Sequence, residues 1–86
     1  MYSKEHIIKN YIAPNKISSG LAEIMKQYSC SDIQLEKNGK KASVTSIMRI
    51  IALCIGPGDK IIIWASGQDE KEAVNAACEF LDNQES

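Results

Sequence analysis

The sequence has no long apolar run, no excess of one charge and few residues that interrupt regular structure. Its longest uninterrupted apolar stretch, Ile50 to Ile55, is far shorter than the roughly 20 residues that a membrane-spanning helix needs. The first residues, Met1 to His6, lack the apolar core of a secretory signal. Ten basic against 11 acidic residues give a formal net charge of −1, without the basic excess on which nucleic-acid binding depends. We therefore expect a cytoplasmic protein that binds neither membrane nor nucleic acid.

Cysteine and histidine are too sparse and too scattered to form a metal site or a disulfide framework. The three cysteines, Cys30, Cys54 and Cys78, include no Cys-x-x-Cys pair. We interpret them as small buried side chains. His6 is the one histidine, and it lies in a predicted strand, where we expect a half-buried structural residue. No metal and no cofactor are predicted.

The size and composition are those of one small globular domain. The chain has 86 residues, of which 5 are glycine and 2 are proline, and 44% are hydrophobic. A chain of this length buries only about 60–65% of the surface that it exposes when unfolded. We therefore predict a single domain over residues 1–86 with a thin core.

Alternating and helical patterns predict the order β-α-β-β-α-β-α. The most informative turn is Asn38-Gly39, a dipeptide suited to a type I′ hairpin. The predicted strands lie near residues 3–9, 32–37, 40–44 and 60–66, and the predicted helices near residues 16–28, 47–54 and 70–82. This order favours an α+β fold, with one antiparallel sheet covered on one face by helices.

The ends of the predicted helices follow from capping residues. Asn15 can cap the first helix, Thr45-Ser46 the second and Asp69 the third, because short polar side chains accept hydrogen bonds from free N–H groups. The Gly56-Pro57-Gly58 segment is expected to end the second helix.

The second helix is apolar nearly all round, with Arg49 as its one charge. Helical spacing places Ile50, Leu53 and Cys54 on one side, and it directs Ile47, Met48, Ile51 and Ile55 elsewhere. So small a domain cannot enclose every side of such a helix, and exposed apolar patches usually meet a partner. The alternative is a core helix with scattered apolar residues at the surface.

Several segments together resemble HPr, the histidine-containing phosphocarrier of the bacterial phosphotransferase system. The resemblance covers almost the whole chain, without a gap from Asp32 to Phe80. It rests on the following segments: Asp32 to Lys41, Ser46-Ile47-Met48, Leu53-Cys54-Ile55, Gly58, and Gly67 to Ala73. It implies an open-faced β-sandwich of four antiparallel strands with three helices on one face, in agreement with the predicted order.

The resemblance also implies a phosphorylated histidine just before the first helix, and this sequence lacks it. A gapless register places Asn15 at the histidine position, whereas a register shifted by one places Pro14 there. Neither side chain can act as the nucleophile. In the shifted register Lys16 stands for the family arginine, without its bidentate geometry.

Paralogues such as the catabolite repression HPr of bacilli also lack the histidine and keep a regulatory serine. Ser46 matches that serine, and the resemblance implies that Ile47, Met48 and Ile51 belong to its partner-binding patch. Arg49 replaces a usual glycine of that patch. The alternative role for Ser46 is that of a plain N-cap.

These observations favour a non-catalytic HPr-like adaptor in carbon catabolite regulation, which acts through Ser46 and the apolar patch. The implied partners are a serine kinase, a transcriptional regulator or phosphotransferase components. One alternative is a phosphocarrier that uses another residue. A second alternative is an orphan protein-binding domain.

The fourth strand predicts a second apolar surface. If Ile61, Ile63 and Ala65 face the core, Ile62 and Trp64 point to the uncovered face of the sheet, and either Ile7 or Ile8 joins them. A homodimer contact through Ile62 and Trp64 would bury this surface. Alternatively, the long side chains of Lys41 or Lys9 cover it.

Overall fold

The computed structural model describes residues 1–84 and confirms the predicted order of elements. The strands are β1 (Tyr2–Ile7), β2 (Asp32–Lys37), β3 (Lys40–Ser43) and β4 (Lys60–Ser66). The helices are α1 (Pro14–Gln27), α2 (Ile47–Leu53) and α3 (Glu70–Asp82). The strands form one antiparallel sheet in the order β1-β4-β2-β3.

Alternation along β4 separates a core face from an open face. Ile61, Ile63 and Ala65 are buried, and Ile63 and Ala65 lie opposite Leu35 and Ile33 of β2. The helices bury this face with side chains at helical spacing, such as those of Ile17, Leu21 and Ile24 in α1. The predicted orientation of β4 and the fold class are therefore confirmed.

The β2–β3 hairpin turns at Asn38-Gly39, as predicted. Both residues have positive φ, 53° and 81°, which is the requirement of a type I′ turn. The hairpin register places Lys37 opposite Lys40 and Leu35 opposite Ala42.

The helix ends differ from the predicted caps. Helix α1 begins at Pro14 with Ala13 as N-cap, because proline lacks the N–H that the first turn would leave unpaired. Asn15 is therefore an exposed residue of the first turn, and the prediction that it caps α1 was wrong. Ser46 and Asp69 are N-caps, as expected, but neither makes a side-chain cap hydrogen bond.

The carboxylate of Asp69 instead joins α3 to the turn that follows α1. It accepts a hydrogen bond from the backbone N–H of Ser29 at 2.9 Å, and the Asp69 N–H donates to the Ser29 carbonyl at 3.0 Å. Nearby, Gly67 has φ 142°, and a Cβ there would lie 2.6 Å from the Ser29 carbonyl oxygen. A side chain at position 67 would therefore force these two segments apart.

Helix α2 ends at Leu53, within one residue of the predicted end and ahead of the Gly56-Pro57-Gly58 segment. Its C-cap is Cys54, which adopts the left-handed conformation with φ 52°. The Cys54 side chain is exposed, whereas Cys30 is half-buried and Cys78 is buried. The prediction of a buried thiol is thus wrong for Cys54, because this short helix stops there and leaves that side uncovered. Burial raises the pKa of the Cys78 thiol.

The described residues contain no helix that is long and apolar enough to span a bilayer. Over the same residues, histidine, cysteine and acidic side chains form no group of three or more that could hold a metal ion.

Candidate functional site

The exposed side of α2 carries three large apolar side chains. We call Ile47, Met48 and Ile51 the α2 patch. Their exposed fractions are 36%, 73% and 48%. On the opposite side of the helix, Ile50 and Leu53 are buried, with exposed fractions of 1% and 7%. One face therefore anchors α2 to the core while the other remains free, as the helical spacing predicts.

Ser46 lies at the N-terminus of α2, beside the patch. Its backbone carbonyl accepts hydrogen bonds from the N–H groups of Arg49 and Ile50, both at 3.1 Å. Its side chain is half-buried and makes no cap hydrogen bond. The hydroxyl is thus not used to stabilise the helix, contrary to what a purely structural cap serine would do.

Arg49 is exposed at the border of the α2 patch. The ion pairs among residues 1–84 do not include it. It lies three residues after Ser46, which is the spacing at which side chains of a helix can interact.

The start of α1 lies on the same side of the molecule as the segment before α2. The hydroxyl of Ser18 donates a hydrogen bond to the Val44 carbonyl, and α1 and α2 are in contact. Asn15 and Lys16 are exposed in the first turn of α1, and Pro14 is half-buried. The two residues that could occupy the family's histidine position therefore offer an amide and a ring without a polar atom, and neither is a nucleophile.

A polar clamp that the sequence did not predict holds the other end of α2. The Lys37 ammonium donates to the Cys54 carbonyl at 2.6 Å and to the Asp59 carboxylate at 2.8 Å. The same carboxylate oxygen of Asp59 accepts from the Gly56 N–H at 2.7 Å. These contacts join the β2–β3 hairpin, the C-cap of α2 and the segment before β4.

The clamp also lowers the pKa of Asp59. The Lys37 ammonium, together with the Gly56 N–H, holds the pKa of the Asp59 carboxyl below its ordinary value of 3.8, since both contacts favour the charged form. Lys37 and Asp59 are 22 positions apart, and no periodicity or motif links them in the sequence.

The open face of the sheet is better covered than the α2 patch. Ile62 and Trp64 point outward, as predicted, and both are only partly exposed. The Lys41 ammonium lies 4.1 Å from the centre of the Trp64 ring, and the indole N–H donates to Glu36 Oε1 at 2.9 Å. Lys41 thus covers Trp64, which was the alternative to a dimer contact. A homodimer through Ile62 and Trp64 stays a prediction.

Ile7, Ile8 and Lys9, which were also predicted near the open face, do not all lie there. Ile7 is 58% exposed on the open face, and Ile8 is buried in the core. The Lys9 ammonium lies 3.5 Å from the Asp82 carboxylate at the end of α3. The expectation that Lys9 covers part of the open face stays a prediction.

His6 is a half-buried strand residue, as predicted. Its Nε2 lies 2.8 Å from Asp82 Oδ1, and 13% of its side chain is exposed. This contact ties β1 to the last turn of α3.

Comparison with known proteins agrees with this architecture. The family model "PTS HPr component phosphorylation site" matches residues 15–83. HPr-like protein Crh of Halalkalibacterium halodurans is 41% identical over 54 residues, which are 63% of this chain and 64% of that protein. The chain thus spans less than two thirds of the length of the curated relatives it matches.

Solved structures are similar over a larger part of the chain. HPr-C-His from Thermoanaerobacter tengcongensis matches with a TM-score of 0.80 and 27% identity over 100% of both chains. Crh from Bacillus subtilis, described as a dimer with a swapped domain, matches with a TM-score of 0.69 and 26% identity over 86% of this chain and 83% of that one. Because the family model covers most of the sequence and the fold agrees, this chain belongs to the HPr family of the phosphotransferase system.

Proposed function

We propose that this chain is a non-catalytic HPr-like regulatory adaptor of carbon catabolite control. A serine kinase phosphorylates Ser46, and the modification changes how the α2 patch binds a protein partner. That partner is a transcriptional regulator or a component of the phosphotransferase system in the cytoplasm. No residue of the chain carries a phosphoryl group to a sugar.

One juxtaposition supports this proposal above the others. A serine hydroxyl that is not used for capping lies directly beside three exposed apolar side chains. At the other family site, Asn15 or Pro14 replaces the histidine. The absence of a nucleophile argues against phosphoryl transfer, and the residues around Ser46 support a role in regulated binding.

A phosphate on Ser46 would change the charge at the edge of the α2 patch. The kinase forms a bond between the Ser46 Oγ and the terminal phosphorus of a nucleoside triphosphate, which releases the nucleoside diphosphate and a proton. The product carries about −1.5 to −2 charges at neutral pH. Arg49, three residues later, can pair with it. The pair would order the arginine beside Met48 and alter the surface that a partner meets.

The direct test is labelling by a purified HPr serine kinase with radioactive nucleoside triphosphate. Wild type is expected to incorporate label and Ser46→Ala is expected to incorporate none. Thr45→Ala is the matched control, because it removes an adjacent exposed hydroxyl. Equal labelling of wild type and Ser46→Ala, or no labelling of wild type, would contradict the assignment of Ser46.

A second assay separates the adaptor from a phosphocarrier that uses another residue. Enzyme I and phosphoenolpyruvate are expected to leave this chain unlabelled, whereas an HPr that carries the histidine is labelled in a parallel reaction. Label on the chain that survives alkali but not acid would indicate phosphohistidine. Because His6 is the one histidine, His6→Gln would then identify the acceptor.

The α2 patch is tested by binding. Wild type and the variants Met48→Asp and Ile51→Asp, all phosphorylated, are compared for binding to a bacterial catabolite control protein, which is a transcriptional regulator. Both variants are expected to lose binding, whereas Ile7→Asp, an exposed apolar residue on the open face, retains it. Binding that Met48→Asp and Ile51→Asp leave unchanged would place the contact elsewhere.

A further inference from the structure

A groove with a mostly apolar lining lies between α1 and α3. It encloses about 370 Å³. Its floor is formed by Gly20, Ile24, Ala76 and Phe80, and Glu23, Gln27 and Glu79 also line it. Gly20 lets the Phe80 ring pack directly against α1, because a Cβ at this position would overlap that ring.

The rim of the groove is acidic on both sides. Glu23 of α1 and Glu79 of α3 are exposed. The nearest cation to Glu23 is Lys26, at 4.0 Å, and both of these side chains are more than 60% exposed, so that this pair is weak. Glu79 takes part in none of the ion pairs between described residues. An occupant with an apolar body and a cationic head would satisfy both the floor and the rim.

The α2 patch of the same chain combines an apolar surface with a neighbouring cation. Its exposed apolar side chains border Arg49, which is the one charge of the helix. An arginine can lay its stem along an aromatic ring and pair its head with carboxylates. We propose that the α2 patch of one copy docks into the α1–α3 groove of a second copy, with Arg49 between Glu23 and Glu79.

The contact has to form between two molecules. Helix α2 packs against α1, β2 and β3, and among the described residues it makes no contact with α3. The clamp from Lys37 to the Cys54 carbonyl further fixes α2 in place. The patch therefore cannot swing into the groove of its own chain.

The geometry sets the kind of assembly. A patch that meets a different surface on its partner gives a head-to-tail contact, which adds further copies rather than closing into a symmetric dimer. A contact limited to one short helix and one groove would be smaller than a standard interface, and we expect it to be weak and transient. Association at high concentration would cover the α2 patch and so compete with any other partner that uses it.

Charge reversal tests this contact with the unphosphorylated protein. Sedimentation is measured from micromolar to millimolar concentrations for wild type, Arg49→Glu, Glu79→Lys and the double variant that carries both. Wild type is expected to associate as concentration rises, and each single variant to associate at least about tenfold more weakly, since like charges face each other. The double variant is expected to recover part of the association, because the pair between positions 49 and 79 is restored with its signs exchanged, while Glu23 still faces an acid at position 49.

Matched controls reverse exposed charges on β4 and β1. Lys60 and Glu5 form a surface pair at 3.3 Å with side chains about 65% exposed. Lys60→Glu and Glu5→Lys change the net charge as the test variants do, and both are expected to associate like wild type. Circular dichroism establishes that each variant is folded.

Three results would overturn the proposal. The first is a wild-type protein that stays monomeric at every concentration. The second is association that Arg49→Glu and Glu79→Lys leave unchanged, which would assign the contact to another surface, such as the one around Trp64. The third is a folded double variant that associates no more strongly than the single variants. Each result is independent of Ser46 phosphorylation, so the proposed function is judged separately.

Discussion

Helix α2 and the open face of the sheet both carry large apolar side chains at the surface, but these side chains are exposed to different extents. Each presents large apolar side chains on a surface that no other element covers. On α2, Met48 stays 73% exposed. On the sheet, Trp64 is covered by Lys41 and bound by Glu36. An apolar excess in the sequence therefore does not by itself predict an exposed patch.

The difference lies in which neighbours are within reach. In a sheet, side chains of adjacent strands stand side by side on one face, so Trp64 has Glu36 on β2 and Lys41 on β3 close by. A helix of 7 residues offers its exposed side no such lateral neighbours. Apolar residues that are covered within the fold contribute to its stability, whereas exposed apolar residues are available for binding a partner.

The largest expected effect compares the two faces of β4. Ile63→Ala is expected to lower the free energy of unfolding by about 2–5 kcal/mol, because Ile63 is fully buried and the truncation leaves a cavity. Ile62→Ala, one residue earlier on the open face, is expected to cost less than half of that. Urea denaturation of both variants measures the difference, and equal losses would mean that Ile62 is as buried as Ile63 in solution.

The second effect concerns the clamp that orients α2. Lys37→Met keeps the length of the side chain but removes the contacts to Asp59 and Cys54. The urea midpoint is expected to fall by less than for Ile63→Ala. Lys40→Met is the control, since Lys40 is an exposed neighbour in the same hairpin. Identical midpoints for the two variants would show that the clamp contributes nothing.

The clamp also predicts a pH dependence. The pKa of Asp59 is lowered in the folded state, so the unfolded state takes up the proton first. The contribution of Asp59 is therefore present above its ordinary pKa of 3.8 and is lost as pH falls through the folded pKa. The melting temperature of Asp59→Asn is expected to differ from wild type at neutral pH and to converge with it in acid. A difference that is constant with pH would contradict this assignment.

The clamp also shows where sequence analysis fails. Asn38-Gly39, the alternation of β4 and the helical spacing of α2 are local patterns, and each was predicted because its cause lies within a few residues. The pair of Lys37 and Asp59 depends on how the hairpin packs against the segment before β4. The contact between Gly20 and Phe80 depends on the packing of α1 against α3. Such contacts follow from the tertiary fold and leave no local signal.

The predicted cap of α1 was wrong for a related reason. Asn15 follows Pro14, and both are suited to the first turn of a helix, so the sequence alone did not decide which residue begins α1. The fold places Pro14 first because the preceding Ala13 carbonyl accepts from the N–H groups of Lys16 and Ile17. The assignment of Ser46, by contrast, depended on the family resemblance, since one serine before an apolar helix is equally typical of a plain N-cap.

A smaller effect is expected from removing the cover of Trp64. Lys41→Ala loses a cation–π contact, which contributes about 0.5–1 kcal/mol at an exposed site. The indole becomes more exposed to water, so the fluorescence emission of Trp64 is expected to shift to longer wavelength. Lys40→Ala is the control in the same strand. An unchanged emission spectrum would indicate that Lys41 does not cover the ring in solution.

The smallest effect is expected on the bare surface. Met48→Ser removes an apolar side chain that is already 73% exposed, so little burial is lost and the free energy of unfolding is expected to change by no more than about 0.5 kcal/mol. Ile50→Ala, two residues later and 1% exposed, is expected to lose about 2–5 kcal/mol. If Met48→Ser were as destabilising as Ile50→Ala, the Met48 side chain would have to be buried in solution, within the fold or against another copy.

Because head-to-tail association at high concentration covers Met48, the measurement at micromolar concentration isolates the folded monomer. A loss that grows with protein concentration would then come from the contact between copies and not from the fold.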